Sequence, residues 1–489
     1  MSAKSHKNLY RTSVNIIITI FCTFILTTLI AFSVPAANES KLTLLSPHQE
    51  NIQKEFTTAF KNWYKVKYKA NVDLVWLDQG GTSNIIKFID SEFKRTPNGI
   101  NVDILFGGGI DPYLKFKKEG DLMPYKLPAE ILSKIPGSYS GSAVYDPDFQ
   151  WYSACFSGFG IIYNKQLFNM LGLPIPTKWS DLAKPELAKW VSSSDPRQSG
   201  SIHQMYEIIL QSYGWEEGFD VITRLNANVK IFGRGASDIP RDVDLGETAC
   251  GLAIDIYALA KIAESTPDKL GYVMPEGETV ISGDAIAILK GAPHKDIAQS
   301  FVEFVMSEDG QKLWMTKAGL PGGPEKSTLR RMSVMPHLYD VLGDKADVPT
   351  NPFNWKTTLK FDDSKSAARQ GVINDLIGAM TIDVHDDLAK AWEAVRKGGM
   401  NDAALKRLVA VPITEAEALN LGKGKWENQE FRNAKISEWT KFAKDKYRIP
   451  ASSRIKFIVV IVSIVVLVVI GLAIGGLVIG LRKRQKQAK

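Results

Sequence analysis

The chain has 489 residues, a formal net charge of +7 and 45% hydrophobic residues. Ten basic residues lie in the two ends, 1–36 and 454–489, which contain no acidic residue, so residues 37–453 carry a net charge of −3. This distribution excludes a nucleic-acid-binding domain, because such a domain presents an excess of basic residues on one face.

An uncharged apolar run begins the chain, from Val14 to Val34, behind a short basic leader. The run ends in Pro35, Ala36 and Ala37, small residues at the spacing of a signal-peptidase site. We therefore expect residues 1–36 to be a cleaved signal peptide. The alternative is an uncleaved N-terminal membrane segment.

A second apolar run, from Phe457 to Leu481, lies near the other end and is followed by a basic tail, 482–489. At about 1.5 Å per residue a helix of this length crosses a hydrocarbon core about 30 Å thick. Basic residues stay on the cytoplasmic side. The sequence thus predicts a transmembrane helix over 457–481 in the cytoplasmic (inner) membrane, with a cytoplasmic tail and the bulk of the chain on the periplasmic side.

Strands and helices alternate at the start of the region between these runs. Three strands are predicted at Lys41–Ser46, Asn71–Leu77 and Val102–Phe106, with helices around 52–63 and through Ile86 and Phe88. Alternation of this kind indicates a parallel sheet with helices on its faces.

A second region begins near residue 150 and extends to about 265. Its clearest helix is predicted over Ser201–Tyr213, with Ser201 and Gln204 as a capping box. Four further strands are predicted at Cys155–Asn164, Ala249–Ile256, Leu270–Pro275 and Val280–Leu289. One long helix follows over Lys295–Thr316, and residues 326–448 are expected to be mostly helical.

The chain contains three cysteines, of which Cys155 and Cys250 lie in the predicted extracytoplasmic part. They can form a disulfide in an oxidising compartment only if their Cα atoms come close, and the sequence leaves this open. No spacing of cysteine and histidine indicates a zinc site, and we expect no cofactor.

The candidate ligand site is predicted at the carboxyl ends of the strands, where open parallel sheets bind ligands. Glycines there let the backbone approach a ligand, and a helix start such as Ser199–Ser201 suits a phosphate, phosphonate or carboxylate. The alternative is that these residues only form turns and helix caps. The candidate ligand-binding residues are Ser46, His48, Thr82, Gly108, Gly109, Ser199, Gly200, Ser201, Asp255 and Tyr257.

Several motifs in order resemble one family. These are the long run from Gly160 to Ala260 and the segments SPHQE, DILFGGGIDPY and APHKDIAQSFVEFVMSEDGQKLWMTKAGLPGGP. They resemble the extracellular solute-binding proteins of the ferric-iron and phosphate-ester ABC-importer type. The resemblance covers about 41–325 and continues to about 448. It implies an α/β type 2 periplasmic-binding fold, in which two parallel-sheet lobes joined by a hinge close on a ligand, here with a helical C-terminal extension.

The cargo is inferred from how this chain departs from the iron-binding members. Those members use a histidine after the first strand, an acidic residue after the third and two adjacent tyrosines. His48 fits the first position, but Gly107–Gly109 stand in place of the acidic residue and Tyr257 is followed by Ala258. We therefore expect an organic phosphate, phosphonate or similar small anion. Ferric ion, with His48 and Tyr257 as ligands, is the alternative.

The resemblance implies a membrane-tethered binding protein that delivers its ligand to an ABC permease and its ATPase. The alternative is a tethered sensor that reports ligand occupancy to a signalling partner. An enzyme is not expected, because the chain has six histidines, no Gly-x-Ser-x-Gly motif and no visible pairing of a nucleophile with a base.

Overall fold

The computed structural model describes residues 40–355 and 358–448. The predicted signal peptide, the 457–481 helix and the basic tail lie outside these residues. Among the helices of the two described ranges, none has the length and apolar character needed to cross a bilayer.

The fold is α/β. Its strands in the described residues are β1 (Ser40–Leu45), β2 (Val72–Leu77), β3 (Ile104–Phe106), β4 (Leu122–Met123), β5 (Ser138–Tyr139), β6 (Ser142–Ala143), β7 (Tyr152–Asn164), β8 (Val191–Ser194), β9 (Val229–Gly233), β10 (Cys250–Ile254), β11 (Leu270–Val273) and β12 (Ile281–Leu289).

Its α-helices, over the same ranges, are α1 (Glu50–Tyr68), α2 (Thr82–Arg95), α3 (Asp111–Glu119), α4 (Ala129–Leu132), α5 (Lys165–Leu171), α6 (Gly200–Tyr213), α7 (Trp215–Asn228), α8 (Asp238–Asp244), α9 (Asp255–Glu264), α10 (Lys295–Met306), α11 (Glu308–Met315), α12 (His337–Leu342), α13 (Asp363–Ile377), α14 (His385–Lys397), α15 (Asp402–Val409), α16 (Glu415–Gly422) and α17 (Gln429–Tyr447).

The main sheet consists of two halves that share β7. In the first half-sheet β2, β1 and β3 are parallel, and β12 lies antiparallel between β3 and the first part of β7, with β4 beside it. In the second half-sheet the last part of β7 lies antiparallel to β10 and β11, and β8 and β9 continue in parallel from β10. The chain therefore passes from one half to the other within one strand.

The sequence predicted parallel-sheet lobes, whereas both half-sheets are mixed. β7 leaves the first half-sheet and β12 returns to it, so these two strands pair antiparallel, from Ile281 opposite Gly158 to Ile286 opposite Tyr152. Each strand is buried along its whole length or nearly so, and such a strand gives no alternating pattern that would reveal its direction.

Aromatic packing holds the helices on the first half-sheet. Phe56 and Phe60 of α1 are fully buried, and the Phe60 ring lies 5.0 Å from that of Phe301 in α10. The single helix predicted over 295–316 is instead two helices. Ser307 interrupts it, and its hydroxyl accepts a hydrogen bond from Gly310 N at the start of α11.

The C-terminal region, predicted to be mostly helical, consists of α13–α17 joined by short turns, with a π-helical turn at Gly378–Ile382. α14 and α15 pack on α7, and α13 contacts both α6 and α3. These contacts fasten the region mainly to the helices of the second half-sheet.

The disulfide between Cys155 and Cys250 that the sequence left open does not form. Both cysteines are free and fully buried. Cys155 lies where β7 pairs with β12, whereas Cys250 begins β10 in the second half-sheet. The two thiols are packed in different parts of the sheet.

Candidate functional site

A small pocket of about 60 Å³ lies between the two half-sheets. The first half-sheet contributes His48, after β1, and Gly108 and Gly109, after β3. The second contributes the start of α6 and Tyr257 in α9. The structure therefore brings together residues that are distant in the chain, such as His48 and Tyr257, which are 209 positions apart. We call this space the inner pocket.

A buried charged group forms the floor of the inner pocket. The Asp284 carboxylate of β12 accepts hydrogen bonds from Arg331 Nη1 and, at 2.9 Å, from Gly109 N. His48 Nε2 lies 3.0 Å from the same carboxylate. The ring of His48 is also held edge-on by Phe106, 4.7 Å away. One aspartate thus joins three separate segments of the chain.

The pKa values of this group follow from burial and pairing. Burial alone would raise the pKa of the Asp284 carboxyl, but Arg331 and the hydrogen bonds from His48 and Gly109 outweigh burial and hold that pKa well below its usual range. Burial lowers the pKa of His48. At neutral pH the floor therefore consists of a carboxylate paired with a guanidinium and an uncharged imidazole.

Several polar atoms at this pocket are buried without a hydrogen-bond partner among the described residues. They are Nδ1 of His48, Oγ of Ser157 and Nε of Arg331. The Tyr257 side chain is only half-buried, and its hydroxyl makes no hydrogen bond with the rest of the described chain. Buried polar groups in folded proteins are almost always paired, so these atoms indicate a polar ligand or ordered water.

Two helix N-termini face each other across the mouth of the inner pocket. α2 begins at Thr82 without a side-chain cap, and α6 begins at Gly200. A Cβ at position 200 would lie 2.9 Å from Cβ of Thr82, so only glycine permits this approach. The first N–H groups of a helix have no intrahelical partner and favour an anion.

A larger cavity of about 730 Å³ opens outward from the same helix starts. Ser46, His48, Ser199 and Tyr257 lie on its wall, and Arg234 stands at its rim. Small-molecule sites typically have volumes of about 300–1,000 Å³. We call this space the outer cavity, and it has room for a metabolite that the inner pocket alone lacks.

The structure separates the ten predicted residues into three groups. Two line only the outer cavity and hold turns: Ser46 Oγ accepts a hydrogen bond from His48 N, and Ser199 Oγ accepts one from Ile202 N. One, Asp255, lines neither space. The other seven line the inner pocket and are His48, Thr82, Gly108, Gly109, Gly200, Ser201 and Tyr257.

Asp255 has a local structural role instead. Its carboxylate accepts hydrogen bonds from Gly158 N at 2.8 Å and from Ile256 N at 2.7 Å. Burial raises its pKa to about 7, against the lowering effect of the Gly158 hydrogen bond. The side chain thus joins the start of α9 to the middle of β7, behind the pocket wall.

The capping box predicted at Ser201 is wrong. The residue that caps α6 is Ser199, two positions earlier, and the helix begins at Gly200. The hydroxyl of Ser201 is thereby left on the pocket wall rather than engaged in a cap.

Reasoning from the sequence missed much of the pocket lining, including three polar residues on which the site depends: Asp284, Arg331 and Gln370. Asp284 is a lone acidic residue inside an apolar strand, which was the one available signal, because a buried charge requires a partner. Arg331 and Gln370 follow the hard break at Pro321–Pro324, in a region where patterning is weak.

No group of three or more metal-binding side chains occurs among residues 40–355 and 358–448. Of the two ferric ligands considered from the sequence, Tyr257 has a hydroxyl without a hydrogen bond to the described part of the chain, whereas His48 Nε2 is engaged with Asp284.

Solved structures define the class of fold. The periplasmic binding protein AfuA from Actinobacillus pleuropneumoniae, with fructose 6-phosphate bound, superimposes with a TM-score of 0.56 at 19% identity, over 74% of this chain and all of that one. Iron-bound HitA from Pseudomonas aeruginosa gives a TM-score of 0.54 at 19% identity, over 69% of this chain and 99% of that one. The fold is that of the periplasmic binding proteins.

The family follows from the sequence comparisons. The model of the family described as bacterial extracellular solute-binding protein matches residues 101–334. An uncharacterized protein of Haemophilus influenzae is 30% identical over 273 residues, 54% of this chain and 72% of that protein. The phosphoglycerate transport regulatory protein PgtC of Salmonella typhimurium is 23% identical over 357 residues, 70% of this chain and 82% of PgtC. The chain belongs to the family of bacterial extracellular solute-binding proteins.

Proposed function

We propose that this protein captures a small organic phosphate, or a chemically similar anion, between its two half-sheets and delivers it to an ABC importer. The observation that carries the proposal is the convergence of two helix N-termini on a cavity that also contains unpartnered buried donors. Donors of this kind bind anions. The carboxylate on the floor is already neutralised by Arg331 and does not oppose an anion.

The sizes of the inner pocket and the outer cavity suggest which part of such a ligand each of them holds. The inner pocket holds only a few non-hydrogen atoms, whereas the outer cavity, at about 730 Å³, holds the body of a hydroxylated metabolite. Two relatives support this class of cargo: AfuA is described with fructose 6-phosphate bound, and PgtC is named for phosphoglycerate transport. Each half-sheet with its helices then forms one lobe. The hinge consists of β7, by which the chain leaves the first half-sheet, and β12, by which it returns.

Ferric ion ranks behind an organic anion. HitA, which has a similar fold, is described as iron-bound. In this chain, however, glycines occupy the turn after β3, where the iron-binding members are expected to have an acidic residue, and Tyr257 has no tyrosine neighbour. Fe³⁺ prefers anionic oxygen ligands, and this pocket offers few.

Binding measurements on the purified full-length chain test the proposal. The probes are fructose 6-phosphate, 3-phosphoglycerate, inorganic phosphate and ferric citrate, measured by titration calorimetry and native mass spectrometry. We expect at least one phosphate ester to bind more tightly than inorganic phosphate, because it fills both spaces. Binding of ferric ion alone would overturn the proposal.

We also propose that the apolar run 457–481 tethers the domain to the inner membrane with residues 482–489 in the cytoplasm. This run lies outside the described residues, and the support is its length, its apolar composition and the basic tail. Protease treatment of right-side-out vesicles should digest the solute-binding domain and spare a tag placed after Lys489. Release of the whole chain by alkaline washing would contradict tethering.

A sensor is the second candidate, favoured by one observation: the relative PgtC is described as a transport regulatory protein. A sensor reports occupancy to a signalling partner instead of releasing its ligand to a permease. Uptake of a radiolabelled ligand in cells with and without this protein separates the two. Loss of uptake supports import, whereas normal uptake with loss of a transcriptional response supports sensing.

A further inference from the structure

The inner pocket has a wall that belongs to neither half-sheet. Gln370, on α13 of the C-terminal region, lines the pocket beside Asp111, His203 and Gln204. Its side chain is half-buried, and its amide makes no hydrogen bond within the described residues. An amide in this position is available to a ligand.

α13 is anchored firmly to the second half-sheet through α6. Arg369, adjacent to Gln370, donates hydrogen bonds at 2.6 Å and 3.1 Å to the Glu207 carboxylate, and neither side chain is exposed. One turn further along α6, Gln211 exchanges hydrogen bonds with the backbone of Asp362. These bonds fix the start and the middle of α13 to α6.

α13 also packs on α3 of the first half-sheet, and a buried hydrogen bond lies within this contact. Ser366 Oγ donates a hydrogen bond of 2.5 Å to Oδ2 of Asp111, the first residue of α3. His203 Nε2 of α6 lies 3.5 Å from the same carboxylate oxygen, and His203 Nδ1 lies 2.8 Å from Oδ1 of Asn374. All four residues are at least nine-tenths buried. This cluster, which we call the clasp, joins α3, α6 and α13.

We infer that α13 is the third wall of the ligand pocket and that the clasp fixes it across both half-sheets in the closed state. In this arrangement Gln370 hydrogen-bonds the ligand directly. Ser366 is a positioning residue, because it acts through Asp111. The inference rests on the proposed function for the identity of the ligand, whereas the clasp itself is independent of any ligand.

A purely structural role for α13 accounts for less of the geometry. The Arg369–Glu207 pair already anchors the helix to α6, so stability alone requires neither the Ser366–Asp111 bond across the cleft nor an unpaired amide on the pocket wall. A protein whose ligand-competent state is only partly populated binds with an affinity reduced by that fraction. Removing the clasp should therefore weaken binding even though Ser366 does not touch the ligand.

The first experiment measures affinity for fructose 6-phosphate and 3-phosphoglycerate in the full-length chain. Gln370→Ala should weaken binding about tenfold through loss of one hydrogen bond to a charged ligand. Gln370→Glu should weaken it further, since it sets a carboxylate against an anion, and a merely structural glutamine would not show this order. Gln429→Ala, on the exposed face of α17, is the matched control and should bind like the wild type.

Ser366→Ala should also weaken binding severalfold, and Ser364→Ala, the same change on the exposed face of α13, should not. If the wild type binds a probe while Gln370→Ala and Ser366→Ala bind it equally well, the inference is overturned and the proposed function stands.

The second experiment needs no ligand. Hydrogen–deuterium exchange of the unliganded full-length chain should be at least about threefold faster in α3 and the first turns of α13 for Ser366→Ala than for Ser364→Ala. Equal exchange rates in the two variants would overturn the inference that the clasp holds α13 against α3. If no phosphorylated probe binds the wild type, the proposed cargo fails, and this comparison alone decides the inference.

Discussion

Asp284 and Arg331 show how a single buried pair determines the chemistry of the pocket. Each side chain is more than nine-tenths buried, and Arg331 also lies 5.6 Å from the Trp314 ring and 3.1 Å from Cys155 Sγ. The guanidinium cancels the charge of the Asp284 carboxylate, whereas the Asp111 carboxylate, which also lines the pocket, accepts a hydrogen bond from Ser366. The helix N-termini and the unpaired donors favour a negatively charged ligand.

Arg331→Met should lower the free energy of unfolding by about 3–5 kcal/mol, because it leaves Asp284 buried without its cation. The double variant Arg331→Met/Asp284→Asn should recover much of that loss. Lys397→Met, which breaks an exposed pair with Glu393, should cost no more than about 0.5 kcal/mol. Urea denaturation measures all three, and equal losses for Lys397→Met and Arg331→Met would contradict the assignment.

Tyr257→Phe should weaken binding of a phosphorylated ligand by about tenfold or more, because a hydrogen bond to a charged group is removed. Stability should change little, since the hydroxyl has no partner in the described protein. Calorimetric titration gives the affinity. Tyr64→Phe, on α1 and away from both spaces, serves as the control, and an equal loss in this variant would show that the effect is not local.

Among individual residues, reasoning from the sequence located seven that line the inner pocket but did not find the charged pair on its floor. His48 and the glycines after β3 were found because strand ends in such sheets bind ligands. Arg331 could not be found, because it is 47 residues beyond Asp284 and no local pattern links them. The position of Asp255 outside both spaces could not be predicted for a related reason: a strand-end carboxylate can face a ligand or a backbone N–H, and the sequence does not show which.

Among the elements, α6 is the one whose start matters most for the site. Its first N–H groups face the cavity, and Ser199 holds them in place. The sequence predicted this helix correctly but placed its cap two residues too late, because Ser199 and Ser201 are both good caps and Gln204 completes a false capping box.

Ser199→Ala should lower the free energy of unfolding by about 1 kcal/mol, the usual cost of losing an N-cap. Ser201→Ala should leave stability almost unchanged, since its hydroxyl caps nothing. Thermal or chemical denaturation of the two variants checks this. A larger loss of unfolding free energy for Ser201→Ala than for Ser199→Ala would instead support the capping box predicted at Ser201.

α17 contains a buried lysine whose charge is costly. Lys446 is 8% exposed, and its ammonium donates to the Ala410 carbonyl at 2.8 Å and lies 4.7 Å from the Tyr447 ring. Burial lowers its pKa to about 7. The unfolded chain, with an ordinary lysine pKa near 10.4, therefore binds more protons than the folded one between about pH 7 and pH 10.

Wild-type stability should accordingly gain from this group as the pH rises from about 7 to 10. Lys446→Met should be more stable than the wild type at pH 7, and the difference should shrink toward pH 10. For Lys444→Met, on the exposed face of the same helix, the stability should change with pH in the same way as that of the wild type. Denaturation midpoints across this pH range measure the effect, and a constant difference between wild type and Lys446→Met would contradict it.

The whole molecule is organised around β7, which belongs to both half-sheets. Its glycines are required by close packing: a Cβ at Gly160 would lie 2.1 Å from the Val273 carbonyl oxygen, and one at Gly158 would lie 2.3 Å from Met274 Sδ. The sequence predicted the strand but not that it belongs to both half-sheets, because its pairing partners lie more than 80 residues away and leave no local signal. For the same reason it predicted parallel sheets where the returning strand makes them mixed.

The described conformation is closed at the cleft mouth, since Thr82 and Gly200 are in contact range. If the half-sheets hinge on β7, the unliganded protein should populate more open states, and ligand should shift it toward this one. Small-angle X-ray scattering of a 37–453 fragment should then show a smaller radius of gyration on adding a phosphate ester. A radius unchanged by every probe that binds would contradict hinge closure.

The attachment of the C-terminal helices has a mechanical consequence. The Tyr447 hydroxyl donates to the Met380 carbonyl at 2.8 Å, and α14 and α15 pack on α7, so the chain leaves the described domain from the side of the second half-sheet. If the chain beyond Tyr447 is tethered as proposed, the second half-sheet is the lobe held in place. Hinge closure would then displace the first half-sheet, which bears His48, relative to that anchor.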